Sequence, residues 1–287
     1  MTWFLFAALA ALSESFKDLF SKICLEDMNE YLISWVLMSF ALPLLFIAFL
    51  YTGVPEIGPA YLKALLIHGS LNTVALILYM RAIKSSELSI TVPMVAFSPL
   101  FLLITSPILL GEFPSHAGLA GIVLIVAGSY LLHINKISGG LFAPIKALFE
   151  NPGPRYMMLV ALIWSITANF DKIGVMNSSP MFWSFSLALF LSISMFPIAL
   201  ITNRNLFGTL KKNFFRLLPI GLFQSGAMLF HMVAVQFALV AYVVAIKRSS
   251  TALGVVWGAL FLKEKNMKQK LLGVSIMLGG VVLIVLN

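Results

Sequence analysis

Residues 241–262 read AYVVAIKRSSTALGVVWGALFL. A helix needs roughly 20 mainly apolar residues to cross hydrocarbon, and this run meets that length. Yet Lys247 and Arg248 stand side by side near its middle. On insertion scales a cation at mid-bilayer costs about 2.5–3.5 kcal/mol. Two neighbouring cations are kept there only if something polar receives them. The stretch therefore predicts a helical bundle with a water-facing interior, and side chains chosen for that interior rather than for lipid.

The rest of the chain has the same character. Of its 287 residues, 60% are hydrophobic and 10% charged, where a soluble domain is nearer half apolar and a quarter charged. Ten segments are long and apolar enough to span: about 2–22, 31–51, 62–83, 88–110, 116–134, 156–175, 181–202, 214–236, 238–262 and 269–286. They are too long for strands and lack alternation, and helices satisfy every backbone group in lipid. The first run has no basic leader and no small-residue cleavage site, so it reads as a retained helix. The expected fold is an all-α integral membrane protein with ten transmembrane helices. Residues 135–155, with Gly-Gly and Pro-Gly-Pro, read as a linker between a unit at 1–134 and one at 156–287.

Self-similarity supports two units. A shift of 152 lays Tyr79-Met80-Arg81-Ala82 on His231-Met232-Val233-Ala234, Glu112 on Glu264, Asn72 on Gln224, Gly121 on Gly273 and Gly128 on Gly280. Near the start of each half a shift of 150 lays Phe20 on Phe170, Lys22 on Lys172 and Ser34 on Ser184. Two five-helix halves follow. Five is odd, so the second enters the membrane upside down, and inverted repeats of this kind place a site between the halves near the midplane.

Two stretches carry a resemblance. TVPMVAFSPLFLLITSPILLGEFPSHAGLAGIVLIVAGSYLL and YVVAIKRSSTALGVVWGALFLKEKNMKQKLLGVSIMLGGVVLIVL each resemble the EamA branch of the drug/metabolite transporter superfamily. There an apolar helix ends in a Gly-Glu-like turn and a Gly-containing helix follows. The second stretch departs in having Lys263 where Gly is usual. The resemblance covers nearly the whole chain and implies ten helices and transport of small metabolites. It leaves the substrate open among amino acids, other metabolites and drugs.

Net charge is +8. Most basic residues lie between apolar runs, where they set topology against anionic lipid; no basic–aromatic surface for nucleic acid is present. The loops at 22–30, 84–87, 135–155, 203–216 and 263–270 hold nearly all the Lys and Arg, leaving Lys63 and Lys172 on the other side. That asymmetry puts both termini outside the cytoplasm, in the plasma membrane of a prokaryote; some relatives that the resemblance brings in have them inside. The single cysteine, Cys24, forms no internal disulfide.

Four polar groups fall inside the spans. On the first helix Glu14, Lys17, Asp18 and Ser21 share a face. Glu14 and Asp18 read as proton-exchanging or substrate-binding carboxylates, or as an internally neutralised cluster; the repeat puts Trp164 opposite Glu14. The multidrug branch of the superfamily is similar in using a first-helix Glu. Lys247 and Arg248, with Thr251, read as a clamp for a carboxylate or phosphate, or as partners of Glu14, Asp18 or Asp171. The sugar-phosphate branch resembles this in its basic ninth helix. Asp171, beside Lys172, is a third candidate for proton coupling or a boundary ion pair. Asn72 and Gln224, with His68, Tyr79 and His231 a turn or two away, read as lining of a cavity on the symmetry axis. Trp164 and Trp257 read as packing for a flat substrate.

No Walker loop is present, and no H-E-x-x-H or G-x-S-x-G; the four histidines (68, 116, 133, 231) are scattered. The expected function is therefore a secondary-active exporter of a small organic metabolite such as an amino acid. It needs no cofactor and no metal and does not act as an enzyme. A phosphorylated or anionic metabolite is the alternative substrate, and an enzyme or passive channel the distant one. The expected partners are the substrate, membrane lipid and a proton, in a monomer or homodimer.

Overall fold

The computed structural model describes residues 2–86, 91–134, 143–261 and 267–286. Among these there are thirteen α-helices, one 3-10 turn and no strand. The helices are α1 (Thr2–Leu25), α2 (Glu30–Ser39), α3 (Leu42–Thr52), α4 (Tyr61–Ser85), α5 (Ser98–Leu110), α6 (His116–Ile134), α7 (Ala143–Glu150), α8 (Pro152–Met176), α9 (Pro180–Thr202), α10 (Leu206–Phe237), α11 (Val240–Lys247), α12 (Ser250–Phe261) and α13 (Met267–Val285). The 3-10 turn, Val92–Phe97, precedes α5. Six stretches are long and apolar enough to cross a membrane, and His116–Leu132 and Lys270–Val285 are shorter apolar helices.

Several expected spans are interrupted, for identifiable reasons. The second breaks between α2 and α3, where Pro43 opens the new helix; proline lacks the N–H that would continue the old one. In the fourth, Pro93 and Pro99 each take a first-turn position, one in the 3-10 turn and one in α5. The eighth begins ten residues or so earlier than hydropathy suggests: α10 starts at Leu206 behind an Asn205 cap and changes course at Asn213 (φ −111°, ψ 16°). The expected linker 135–155 is described only in its second part. Residues 135–142 lie outside the described residues, α7 follows, and Pro-Gly-Pro forms the first turn of α8, where proline is tolerated.

The main helix pairings recur when the halves are exchanged. α1 lies along α10, and α4 lies along α8, which are the first and third spans of one half against the third and first of the other. α2 and α3 pack on α9, and α6 packs on α13, each pair mapping onto itself. The 3-10 turn and α5 rest on α8 just as α11 and α12 rest on α1. The seam between α6 and α13 shows why the repeat keeps glycine. A Cβ on Gly121 would stand 2.7 Å from the Gly280 carbonyl, and one on Gly128 would stand 2.6 Å from that of Gly273. Each glycine thus meets the counterpart of the other, and small residues let the backbones close. Gly279, next to Gly280, lies off this seam and faces open space. Ile47, Ile108, Ile193 and Leu278 stand more than half exposed, as expected where acyl chains are the solvent.

Candidate functional site

The ninth span breaks at its two cations. α11 ends at Lys247, Arg248 and Ser249 form a turn, and α12 starts at Ser250. The Arg248 N–H reaches both Val244 and Ala245 carbonyls at 3.1 Å, and Ser249 N–H reaches Ile246 at 2.9 Å, the tighter spacing of a 3-10 turn. The break in the fourth span, at Phe97–Ser98, falls at the matching place of the first half. The two breaks touch, since an Arg248 guanidinium nitrogen donates to Ser98 Oγ at 2.7 Å. Discontinuous helices facing each other at a repeat interface are where transporters bind substrate and ions.

From Arg248 a line of polar contacts runs through the first half. Its guanidinium lies over the Trp164 ring, 5.8 Å from the centroid, a cation–π distance. Trp164 Nε1 donates to Asn72 Oδ1 at 3.1 Å, and Tyr79 lies beside Trp164 with ring centroids 5.8 Å apart. Asn72 Nδ2 faces His68 Nε2 at 3.5 Å. His68 Nδ1 faces two acceptors, the Asp171 carboxylate and the Thr167 carbonyl, each at 3.1 Å. The network therefore assigns the proton to Nδ1 and leaves Nε2 to accept from the amide. Trp183 Nε1 donates to Asp171 Oδ1 at 2.9 Å, and His231 Nε2 stands 3.9 Å from Asp171 Oδ2. Asp171 is 7% exposed and His231 5%.

On the other flank, Glu14 is held by two lysines: Lys17 one turn along α1, and Lys247 Nζ at 3.4 Å across the interface. Lys17 also meets Asp18 at 3.2 Å. Arg248, by contrast, makes no ion pair among the described residues, and its Nε is buried with no hydrogen-bond partner. Burying polar groups unpaired costs about 1–3 kcal/mol on mutational scales, so an acceptor brought to this nitrogen would be stabilising.

The structure thus brings together Lys247, Arg248, Glu14, Asn72, Tyr79, Trp164, Asp171 and His231, with Asp18 at the edge. It turns the other two candidates elsewhere. Thr251 Oγ1 donates to the Arg248 carbonyl at 2.8 Å and reaches Met277 Sδ at 3.8 Å, toward α13. Gln224 Nε2 reaches Met38 Sδ at 4.0 Å, toward α2. Nor do Asp171 and Lys172 form a boundary pair: Lys172 pairs with Glu112 instead. Trp257 Nε1 donates to Ser15 Oγ at 3.0 Å and stacks on Phe16. His68 and Ser98 complete the cluster. His68 was legible as a neighbour of Asn72 four residues on, whereas nothing in the sequence singles out Ser98.

A family model described as EamA-like transporter family matches residues 1–134 and 151–286. Among curated proteins none matches. One solved structure, described as a crystal structure of a protein, superposes with a TM-score of 0.80 at 14% identity, covering 98% of this chain and 96% of that one. At that identity the likeness is one of fold.

Proposed function

The chain belongs to the EamA-like transporter family, and on that premise we propose a secondary-active exporter for small organic metabolites carrying a carboxylate, amino acids above all. It is an integral membrane protein of the drug/metabolite transporter type. Its spans are read as ten, in two inverted five-helix repeats, rocking about the cluster between them. The observation that carries the substrate class is Arg248. The chain neutralises Lys247 with Glu14 and leaves the neighbouring guanidinium with a hydroxyl, an indole face and a bare Nε. A substrate carboxylate supplies the missing anion in the two-pronged geometry that arginine prefers, and Trp164 and Tyr79 offer a wall to its apolar part. When Lys247 turns away, Glu14 Oε2 can receive a substrate ammonium while Lys17 keeps Oε1. A phosphorylated metabolite is the second reading, favoured by two adjacent cations.

Asp171 is the proposed proton carrier of the three candidate carboxylates. Glu14 and Asp18 already answer lysines. Asp171 is buried against two imidazoles and an indole. Carboxylate and imidazoles together form one buried cluster through which a proton can pass. Basic residues gathered at one end support both termini outside the plasma membrane of a prokaryote, and a reporter fused after Asn287 tests that orientation.

The experiment is a thermal-shift screen of purified protein against metabolite pools, followed by flux of the hit in liposomes. Saturable counterflow that Arg248→Met abolishes, in a variant that still folds, supports the reading. Flux unaffected by that change refutes it.

A further inference from the structure

Where α5 ends, Gly111 takes the left-handed conformation (φ 68°) and turns the chain sharply. Only glycine does this at no steric cost. The turn aims Glu112 across the bundle, where both carboxylate oxygens are used: Oε1 takes Lys172 of α8, and Oε2 accepts the Val240 N–H at 2.8 Å. Lys172 also donates to the Ala238 carbonyl at 2.8 Å. Three residues past Glu112, the Ser115 N–H donates to the Tyr242 hydroxyl at 3.0 Å. A short loop of the first half is thereby clasped to two elements of the second.

Against this clasp lies a cavity of about 390 Å³ whose walls include Lys172, Trp3, Tyr242, Gln236, Phe237 and Ile284. It shares no lining residue with the Arg248 cluster. Its volume lies in the range of small-molecule sites, about 300–1,000 Å³. Trp3 and Tyr242 stack there with ring centroids 6.4 Å apart at 27°, giving a flat face. The lining thus offers one cation, one amide, a flat aromatic wall and apolar sides. That chemistry fits a planar organic anion. The cation is answered here by Glu112, a carboxylate the chain itself brings in on a loop.

We propose that this cavity binds flat organic anions, with Lys172 as the cation and Glu112 as a competitor built into the chain. The ligand carboxylate and the Glu112 carboxylate seek the same ammonium. When the ligand wins, Glu112 leaves Lys172, and the tie to Val240 loosens with it. Binding and unclasping of this end of the bundle are one exchange of ion pairs. The site goes beyond the Arg248 reading and stands or falls separately from it.

Benzoate is the probe and benzamide its neutral control, with binding to purified full-length protein followed by titration calorimetry. Glu112→Gln removes the competitor and tightens benzoate by about fivefold or more, the low end of ordinary coupling. Lys172→Met weakens it by about thirtyfold or more, the ordinary scale for one partner of a desolvated ion pair, and Lys172→Arg restores most of the loss. Benzamide binds no better to Glu112→Gln than to the parent. A gain of affinity cannot arise from misfolding, so Glu112→Gln decides the matter even if Lys172→Met fails to fold. Benzoate affinity unchanged by both substitutions, or absent from both parent and Glu112→Gln, overturns the site; either result leaves the Arg248 cluster untouched.

Discussion

Lys247 ends α11 with its ammonium 3.4 Å from Glu14, a carboxylate that Lys17 holds as well. Arg248, the next residue, has the Ser98 hydroxyl and the Trp164 face, and no ion pair among the described residues. The two flanks of one helix break therefore differ in who supplies the anion. On one flank the chain closes its own circuit; on the other the guanidinium has neutral partners. A cation neutralised within the fold chiefly supports structure, while one left with neutral partners is a place for a ligand.

The largest expected effect follows from that difference. Arg248→Met should lower transport of the screened metabolite by about a hundredfold or more, the scale of losing a buried charged partner. Lys247→Met should cost about tenfold, because Lys17 still holds Glu14. Equal losses in liposome flux would erase the contrast. A second comparison sets Asp171 against Glu14. Asp171→Asn should remove the dependence of flux on pH, whereas Glu14→Gln should slow transport and keep that dependence. The reverse outcome would move the proton to the first helix.

Smaller effects test the scaffold that holds both flanks. Gly121→Val puts a branched side chain where a Cβ already meets the Gly280 carbonyl at 2.7 Å. It should lower stability by about 1–3 kcal/mol, read as an earlier melting point in detergent, while Gly279→Ala, facing open space, should leave melting unchanged. Smallest of all is the exposed pair of Asp27 and Arg216, at 2.8 Å. Hydrogen bonds from Arg216 hold the Asp27 carboxyl below its usual range. Any contribution is present above the ordinary carboxylate pKa and fades as pH falls through the lowered value. Screening by water and salt makes it slight, so Asp27→Asn should not move the melting point measurably at neutral pH.

Hydropathy carried the helical class and many of the span positions, because lipid imposes one strong rule on every segment, and the common shift carried the repeat. The matched glycines at 121, 128, 273 and 280 carried the seam. What stayed hidden were the interruptions. Lys247 and Arg248 were placed on a continuous helix. The 3-10 turn at 248–249 interrupts it, and apolar periodicity cannot see the break. Pro43 broke a span whose hydropathy never falters. Partnerships across helices were hidden too: Asp171 and Lys172 read as a pair because they are adjacent, yet a helix points neighbours about 100° apart. One finds His68 and the other Glu112. Ser98 gave no signal at all, since its role depends on where a distant break brings an arginine.

The most direct test is the affinity of the screened metabolite for the purified Arg248→Met and Lys247→Met variants, measured side by side against the parent. The account predicts a dissociation constant raised about a hundredfold or more by the first and about tenfold or less by the second. Full affinity in Arg248→Met would contradict it, since the guanidinium would then not be the partner of the substrate anion.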